Sequence, residues 1–220
     1  MVIRADGPAD EYREIDRFDG GVGWIAHPEE AMARASHVLE IDGDAWVIDP
    51  VDAPGVDDLV GEFGGEVAGV VVLSDRHARD ADAFGDRHDA PVYVPSFVTP
   101  ELSGPSTPFS GELEDTGFEV LHAVDVPGWR EAALYDGETL VVADVLGDTE
   151  YFRAGDERIG VHPMLRAFPP KALRGLEPER ILSGHGPGVL DGAARALDDA
   201  YRTSRKNIPR VVAKGLKSLF

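Results

Sequence analysis

The stretch VAGVVVLSDRHARD, residues 67–80, decides the fold of this chain. Its first part, Val67–Leu73, is a continuous apolar run rich in β-branched side chains, which is typical of a strand buried on both faces of a sheet. The polar residues that follow at once, from Ser74 to Asp80, include two aspartates and a histidine. We therefore predict a central strand with functional residues at its carboxyl end.

Similar patterns lie on both sides of this run. Two earlier strands are joined by an Asp42-Gly43 dipeptide, a good signal for a hairpin turn. The whole pattern predicts strands at 22–27, 36–41, 45–49, 67–73, 92–94, 118–123, 132–135, 139–144 and 181–183, helices at 56–63, 164–176 and 189–205, and a loop at 100–111. Two β-rich halves that each end in helices predict an α/β fold, a four-layer αββα sandwich.

Composition limits the class of protein and its partners. The 220 residues carry 41 acidic and 21 basic side chains, a formal net charge of −20, and 43% hydrophobic residues, which suffice for a core. Such a surface repels a phosphate backbone, so we expect no nucleic-acid partner. Lysine occurs only four times, a composition typical of salt-adapted archaea, whose carboxylate surfaces suit molar salt. The alternative interpretation of the acidity is attraction of a cationic partner.

Residue types and motifs that are absent from the sequence narrow the possible chemistry and cellular location of the protein. With no cysteine, disulfides, thiolate nucleophiles and Cys-ligated zinc are excluded. Residues 1–8 lack the apolar region of a signal peptide, and 67–73 is too short to span a bilayer. There is no Gly-x-Ser-x-Gly elbow and no phosphate-binding glycine-rich loop, so nucleophilic catalysis is not expected. We expect a single cytoplasmic domain, residues 1–220, without a transmembrane segment.

Four segments, together with Asp49 at a strand end, carry a family resemblance. In chain order they are Asp75-Arg76-His77-Ala78-Arg79-Asp80, Pro127-Gly128-Trp129, Ala143-Asp144 and Ser183-Gly184-His185-Gly186. They resemble the metallo-β-lactamase fold superfamily, whose members carry Thr-His-x-His-x-Asp-His, Pro-Gly-His-Thr, Gly-Asp and a final Gly-His-Gly. The resemblance spans residues 36–205. It implies the αββα sandwich and, in the family, a dinuclear metal centre that activates water.

The resemblance assigns the family's ligand positions to this chain, and most of them have changed. His77, Asp144 and His185 keep the family's residue types. The first histidine, the aspartate and the following histidine are replaced by Asp75, Arg79 and Asp80, and Trp129 replaces the histidine of Pro-Gly-His. An indole offers only a donor N–H and a guanidinium has no lone pair, so neither Trp129 nor Arg79 can ligate a metal.

Two hypotheses follow, and both stay open at this stage. In the first, the Arg79 guanidinium replaces the metal and pairs with Asp144, with Asp75 as a second candidate partner. The chain then has no cofactor and binds a small-molecule ligand in the old cleft without catalysis. In the second, the chain hydrolyses an ester, thioester or lactone through one zinc, manganese or iron ion held by Asp75, His77, Asp80, Asp144 and His185.

If the chain is an enzyme, its candidate catalytic residues are His77, Asp144 and His185, the positions that keep the family's residue types. A metal-free reaction could use His77 as its acid or base, with Asp144 or Asp75 orienting the ring.

The last twenty residues, 201–220, carry six basic side chains and no acidic one. Pro209 interrupts the preceding helix before the tail restarts with the apolar residues Val211, Val212, Leu216, Leu219 and Phe220. A basic, partly amphipathic tail could contact an anionic membrane or nucleic acid. Alternatively, it lies on the acidic body of its own chain or of a second copy, so a homo-oligomer is a candidate assembly.

Overall fold

The strands of the chain form two large sheets that pack face to face. The computed structural model describes residues 3–5 and 7–217, the last three by their backbone alone. Within these residues the first sheet has the order β1 to β7, with β1 Arg13–Phe18, β2 Gly21–Ile25, β3 Ala35–Ile41, β4 Asp44–Ile48, β5 Val67–Val71, β6 Val92–Pro95 and β7 Thr107–Phe109. The second contains β8 Glu119–Val126, β9 Trp129–Tyr135, β10 Thr139–Val142 and β13 Arg180–Ser183, in the order β13-β10-β9-β8. A short pair, β11 Leu146–Gly147 and β12 Gly160–Val161, stands apart.

Helices cover the outer faces of both sheets, so the molecule has four layers. Helices α1 (Val56–Val60) and α2 (Ala81–His88) pack on the first sheet, and α3 (Ala193–Thr203) packs on the second. A last helix, α4 (Ile208–Lys217), follows α3. The predicted α/β class and the four-layer sandwich are confirmed.

The side chains of the second sheet alternate between two cores. On β10, Val141 packs in the core between the sheets, whereas Leu140 and Val142 pack in the core with α3. Successive side chains of a strand point to opposite faces, so a strand covered on both sides must be apolar throughout. This explains the unbroken apolar run that predicted β5.

Parallel pairing brings several strand ends to one edge of the sandwich. In the first sheet β4 pairs parallel to β5, and β5 to β6; in the second, β10 pairs parallel to β13. The carboxyl ends of parallel neighbours lie side by side. The loops that follow β4, β5, β10 and β13 can therefore place polar side chains together.

Three details of the prediction were wrong. The segment 164–176 is not a helix but has two 3-10 turns, Pro163–Leu165 and Lys171–Leu173, because prolines 169 and 170 remove backbone donors between them. The loop predicted at 100–111 contains β7. The helix predicted from residue 189 begins at Ala193, since Val189 pairs with Ile181 instead.

Basic side chains of the tail contact the chain's own body. Arg205 Nε donates to the carbonyl of residue 167, and Lys214 Nζ donates to the carbonyls of residues 150 and 153. These contacts favour the interpretation in which the tail lies on its own chain. Leu219 and Phe220 lie outside the described residues.

Candidate functional site

Four loops meet at the edge where strands of both sheets end. The loops after β4 and β5 carry Asp49, His77 and Arg79, while those after β10 and β13 carry Asp144 and His185. The two carboxylates and two imidazoles are only 3–7% exposed. The resemblance predicted this convergence, and the topology explains it.

The Asp144 carboxylate lies between two imidazoles. Its Oδ1 is 2.8 Å from His185 Nε2 and 3.4 Å from His77 Nε2. Ligand atoms of the three residues lie within 4.8 Å of one another, close enough to hold a metal ion. The structure thus brings together the three positions that keep the family's residue types.

The other nitrogen of each imidazole has an oxygen partner. His77 Nδ1 is 2.7 Å from Asp49 Oδ2, and His185 Nδ1 is 2.9 Å from the Met32 carbonyl. Metal-binding histidines are commonly oriented in this way, with Nε2 presented to the centre. The carboxylate that orients His77 through Nδ1 is therefore Asp49, where the sequence suggested Asp144 or Asp75.

Burial and charge shift the pKa values of this group in opposite directions. Burial and the Arg79 charge act to lower the pKa of His77, but the carboxylates of Asp144 and Asp49 outweigh them and raise it to about 9. Burial lowers the pKa of His185 in spite of Asp144. Although burial opposes it, the two imidazoles hold the pKa of Asp144 well below its usual range.

His185 has an oxygen on each side. A neutral imidazole donates from one nitrogen only. A neutral His185 can therefore donate to only one of its two oxygen partners, Asp144 Oδ1 or the Met32 carbonyl. The other contact requires a cation between the ring nitrogen and the oxygen, either a second proton or a metal ion.

The Arg79 guanidinium points into this centre and is held by backbone carbonyls. Nη1 donates to the carbonyls of Ala35 (2.5 Å) and Asp49 (2.8 Å), and Nη2 donates to the carbonyl of Gly184 (3.0 Å). Nη2 also lies 3.3 Å from His77 Nε2. Burial lowers the pKa of Arg79 to about 10, so the group stays positive at neutral pH.

The predicted partners of Arg79 were wrong. Among the described residues, no ion pair within 4.0 Å joins Arg79 to Asp144 or Asp75. Instead, carbonyls from the start of β3, the end of β4 and the loop after β13 converge on Nη1 and Nη2 of the guanidinium.

Asp75 and Asp80, the other predicted ligands, lie outside the His/Asp/His group. Asp75 Oδ2 accepts from the Arg130 amide at 3.0 Å, and Asp80 Oδ2 accepts from the Asp52 amide at 2.8 Å. Each carboxylate thus binds a neighbouring loop through its Oδ2 atom.

Trp129 is bound to a buried carboxylate that the sequence analysis missed. Its Nε1 donates to Glu131 Oε2 at 3.1 Å, and the two side chains are almost fully buried. Glu131 Oε1 accepts from the amides of Ala143 (3.1 Å), Asp144 (2.9 Å) and Val145 (3.0 Å). Burial and the nearby Asp144 raise the pKa of Glu131, while its N–H donors oppose that shift. The sequence signal is weak: a single acid directly before the apolar run 132–134.

A cavity of about 700 Å³ lies on the other side of Arg79. Its lining includes Arg79 and three further arginines, at positions 4, 34 and 87, together with Asp52, Asp57 and Asp80. His77, Asp144 and His185 are not among its described lining residues. Arg79 therefore forms a wall between an open cavity and the closed His/Asp/His group.

The sandwich and the position of the site define a metallo-β-lactamase fold. A flavo di-iron protein variant from Thermotoga maritima matches 89% of this chain and 62% of its own, with a TM-score of 0.62 at 14% identity. The DIM-1 metallo-β-lactamase matches 89% of this chain and 98% of its own, with a TM-score of 0.58 at 15% identity. TTHA1623 in a di-iron-bound form matches 75% of this chain and 94% of its own, with a TM-score of 0.50 at 22% identity. Identities this low show the fold alone.

Sequence comparisons add nothing to this likeness. No family model and no curated protein matches the chain. Among the described residues no helix is long and apolar enough to cross a membrane.

Proposed function

We propose that this chain binds a small-molecule ligand without a resident metal ion, in the cleft beside the former metal centre. The observation that carries the proposal is the placement of Arg79. Its Nη1 and Nη2 groups are committed to three carbonyls and to the edge of His77, so the cation of the site is part of the chain. A fixed guanidinium supplies charge but no open coordination position.

The residues present do not fit the metal centre that the fold family implies. A metal ion on His77 Nε2 would compete with Arg79 Nη2, which is 3.3 Å from that atom. Two unit charges 4 Å apart repel by about 4 kcal/mol at an effective dielectric constant of about 20, and a divalent ion doubles this. Trp129 also removes a ligand position, and its indole is already bound to Glu131. We therefore derive no catalytic step through a metal.

The cavity beside Arg79 supports the binding part of the proposal. A volume of about 700 Å³ lies within the range of small-molecule pockets. Its wall mixes arginines with aspartates, and several of these charges already pair, such as Arg87 with Asp52 and Asp57. A ligand with several polar groups suits such a wall better than an apolar one.

Metal content tests the proposal directly. The protein is purified in molar KCl without chelator or affinity-tag histidines, equilibrated with zinc, manganese or iron(II), and its metal is measured by mass spectrometry. We expect no stoichiometric metal in the native protein and close to one ion per chain in Arg79→Asp, which removes the guanidinium and adds a carboxylate ligand. Arg87→Asp is the matched control, because Arg87 lines the same cavity without touching His77. Stoichiometric metal in the native protein would overturn the proposal.

A second candidate function is hydrolysis of an ester, thioester or lactone through one metal ion. The observation that favours it is the pair of oxygen contacts of His185, which call for a cation. If the native protein holds stoichiometric metal, that panel of substrates is assayed next. Loss of metal from His185→Ala and Asp144→Asn would then locate the site.

Binding is tested by thermal denaturation against a panel of small polar metabolites. A ligand at 100 times its dissociation constant stabilises the folded state by about 2.7 kcal/mol, a readily measured shift. A compound that stabilises the native protein but not Arg79→Ala supports the cavity beside Arg79 as its site. A compound that stabilises both equally binds elsewhere.

We further propose a setting for the protein. The net charge of −20 and the four lysines support a single-domain cytoplasmic protein of a salt-adapted archaeon, without a nucleic-acid partner. Self-association through the basic tail is tested by light scattering in molar KCl, with a Lys206→Glu/Arg210→Glu variant beside the native chain.

A further inference from the structure

Three successive amides at the end of β10 form a small anion-binding concavity. The N–H groups of residues 143–145 point at one oxygen, Glu131 Oε1, at 2.9–3.1 Å. Successive backbone N–H groups that converge in this way commonly bind anions from solution. Here the acceptor is a carboxyl oxygen of the chain itself and comes from the neighbouring strand β9.

The middle residue of this concavity is Asp144. Its amide is bound to Glu131, while its side chain lies between His77 and His185. Any shift of the backbone at Asp144 therefore moves the carboxylate relative to both imidazoles. A contact of 2.8 Å between His185 Nε2 and Asp144 Oδ1 leaves little room for such movement.

The second oxygen of Glu131 is also fixed. Oε2 accepts from the Trp129 indole, which is 2% exposed and packs at 4.7 Å, centroid to centroid, against His162. Trp129, which stands where the resembling family has a histidine ligand, thus fixes Glu131 through its indole N–H.

We infer that Glu131 is the positioning residue of the site: it holds Asp144 between His77 and His185 through the amides of residues 143–145, and Trp129 holds Glu131. This support gives the Trp129 substitution a role of its own beyond the loss of a ligand.

The test reads the imidazole nitrogens of the native, metal-free protein by NMR after selective ¹⁵N-histidine labelling. Glu131→Met fills similar volume but offers no acceptor, so we expect the Nε2 signals of His185 and His77 to shift. Glu131→Gln keeps one carbonyl oxygen for the three amides and is expected to restore most of the native signal positions.

A matched control separates positioning from a purely structural role. Glu157 is another buried carboxylate, bonded to Arg166 and Asn207 and not to the amides of residues 143–145. Glu157→Met should lower stability without moving the His77 and His185 signals. If Glu131→Met does not fold, Trp129→Phe removes the indole donor alone and should move the same two signals by a smaller amount. Native signal positions in the Glu131 and Trp129 variants that fold would overturn the inference.

Discussion

Two regions flank Asp144, and each holds an ionisable group, one basic and one acidic. The loop after β5 brings Arg79, a guanidinium held by the carbonyls of three separate segments. The start of β9 brings Glu131, a buried carboxyl group held by three successive amides and one indole N–H. In both regions backbone dipoles, rather than a side chain of opposite charge, make the direct contacts.

The two regions show how a basic and an acidic group can be held beside one carboxylate without a direct ion pair. Burying an isolated charge is costly unless hydrogen bonds replace its hydration. Both oxygens of Glu131 and both Nη groups of Arg79 meet this condition. Arg79 also borders an open cavity, whereas Glu131 is not among the described lining residues of that cavity. The Arg79 region can therefore respond to a ligand, whereas the Glu131 region serves as rigid support.

The largest expected effect is on the free energy of unfolding when Glu131 is replaced. Glu131→Met leaves four buried N–H donors without an acceptor, at about 1–3 kcal/mol each, so we expect the free energy of unfolding to fall by at least about 4 kcal/mol. Glu131→Gln keeps one carbonyl oxygen and should lose about 1–3 kcal/mol. Urea denaturation at constant KCl measures both against Glu40→Ala, an exposed position on β3. Equal losses in the two Glu131 variants would contradict this account.

The free energy of unfolding should be less sensitive to truncation of the Arg79 side chain. Arg79→Ala removes the donors to three carbonyls and the charge near Asp49 and Asp144, but water from the cavity can replace some of these donors. We expect a loss of about 3 kcal/mol, since each acceptor that is left buried and unsatisfied costs about 1–3 kcal/mol. Arg79→Lys keeps the charge without the planar fork and should lose about half as much. The same urea series measures both, and a lysine variant as unstable as the alanine variant would show that geometry matters more than charge.

A third prediction joins the two regions. In an Arg79→Asp background that binds zinc, adding Glu131→Met should weaken zinc binding about 10- to 100-fold, the usual effect of removing a group that orients a ligand. Adding Glu131→Gln should restore most of the affinity. Calorimetric titration with zinc gives both values. Unchanged affinity in both double variants would mean that Asp144 keeps its place without Glu131.

The smallest effect concerns acid stability around Trp129. Burial lowers the pKa of His162 to about 4, below its unfolded value of 6.5, so the folded state resists protonation. The contribution of neutral His162 to the free energy of unfolding is complete above pH 6.5 and decreases as pH falls toward 4. At pH 5 it has decreased by about 2 kcal/mol. His162→Asn keeps an acceptor for the Met164 amide and cannot be protonated in this range. It should therefore lose less stability between pH 7 and pH 5 than the native protein; parallel curves would refute this.

Much of the fold could be predicted because local pattern and tertiary environment agree. The apolar run at 67–73 became β5, and the Asp42-Gly43 turn joins β3 and β4. The prediction failed where composition misled it, as at 164–176, where helix-forming residues surround two consecutive prolines. His77, Asp144 and His185 lie together because each follows a strand whose carboxyl end reaches the same edge of the sandwich, and their role as a site stays a prediction.

Residue chemistry alone determined that Arg79 and Trp129 cannot ligate a metal and that β5 is a buried strand. Only the tertiary structure decided that Arg79 is held by carbonyls rather than by Asp144, that Asp49 orients His77, and that Glu131 supports Asp144. The physical reason is that three of the four partners of Arg79, and three of the four partners of Glu131, are backbone groups. Every residue carries a carbonyl and nearly every residue carries an amide, so no sequence pattern marks which of them will converge on a buried charge.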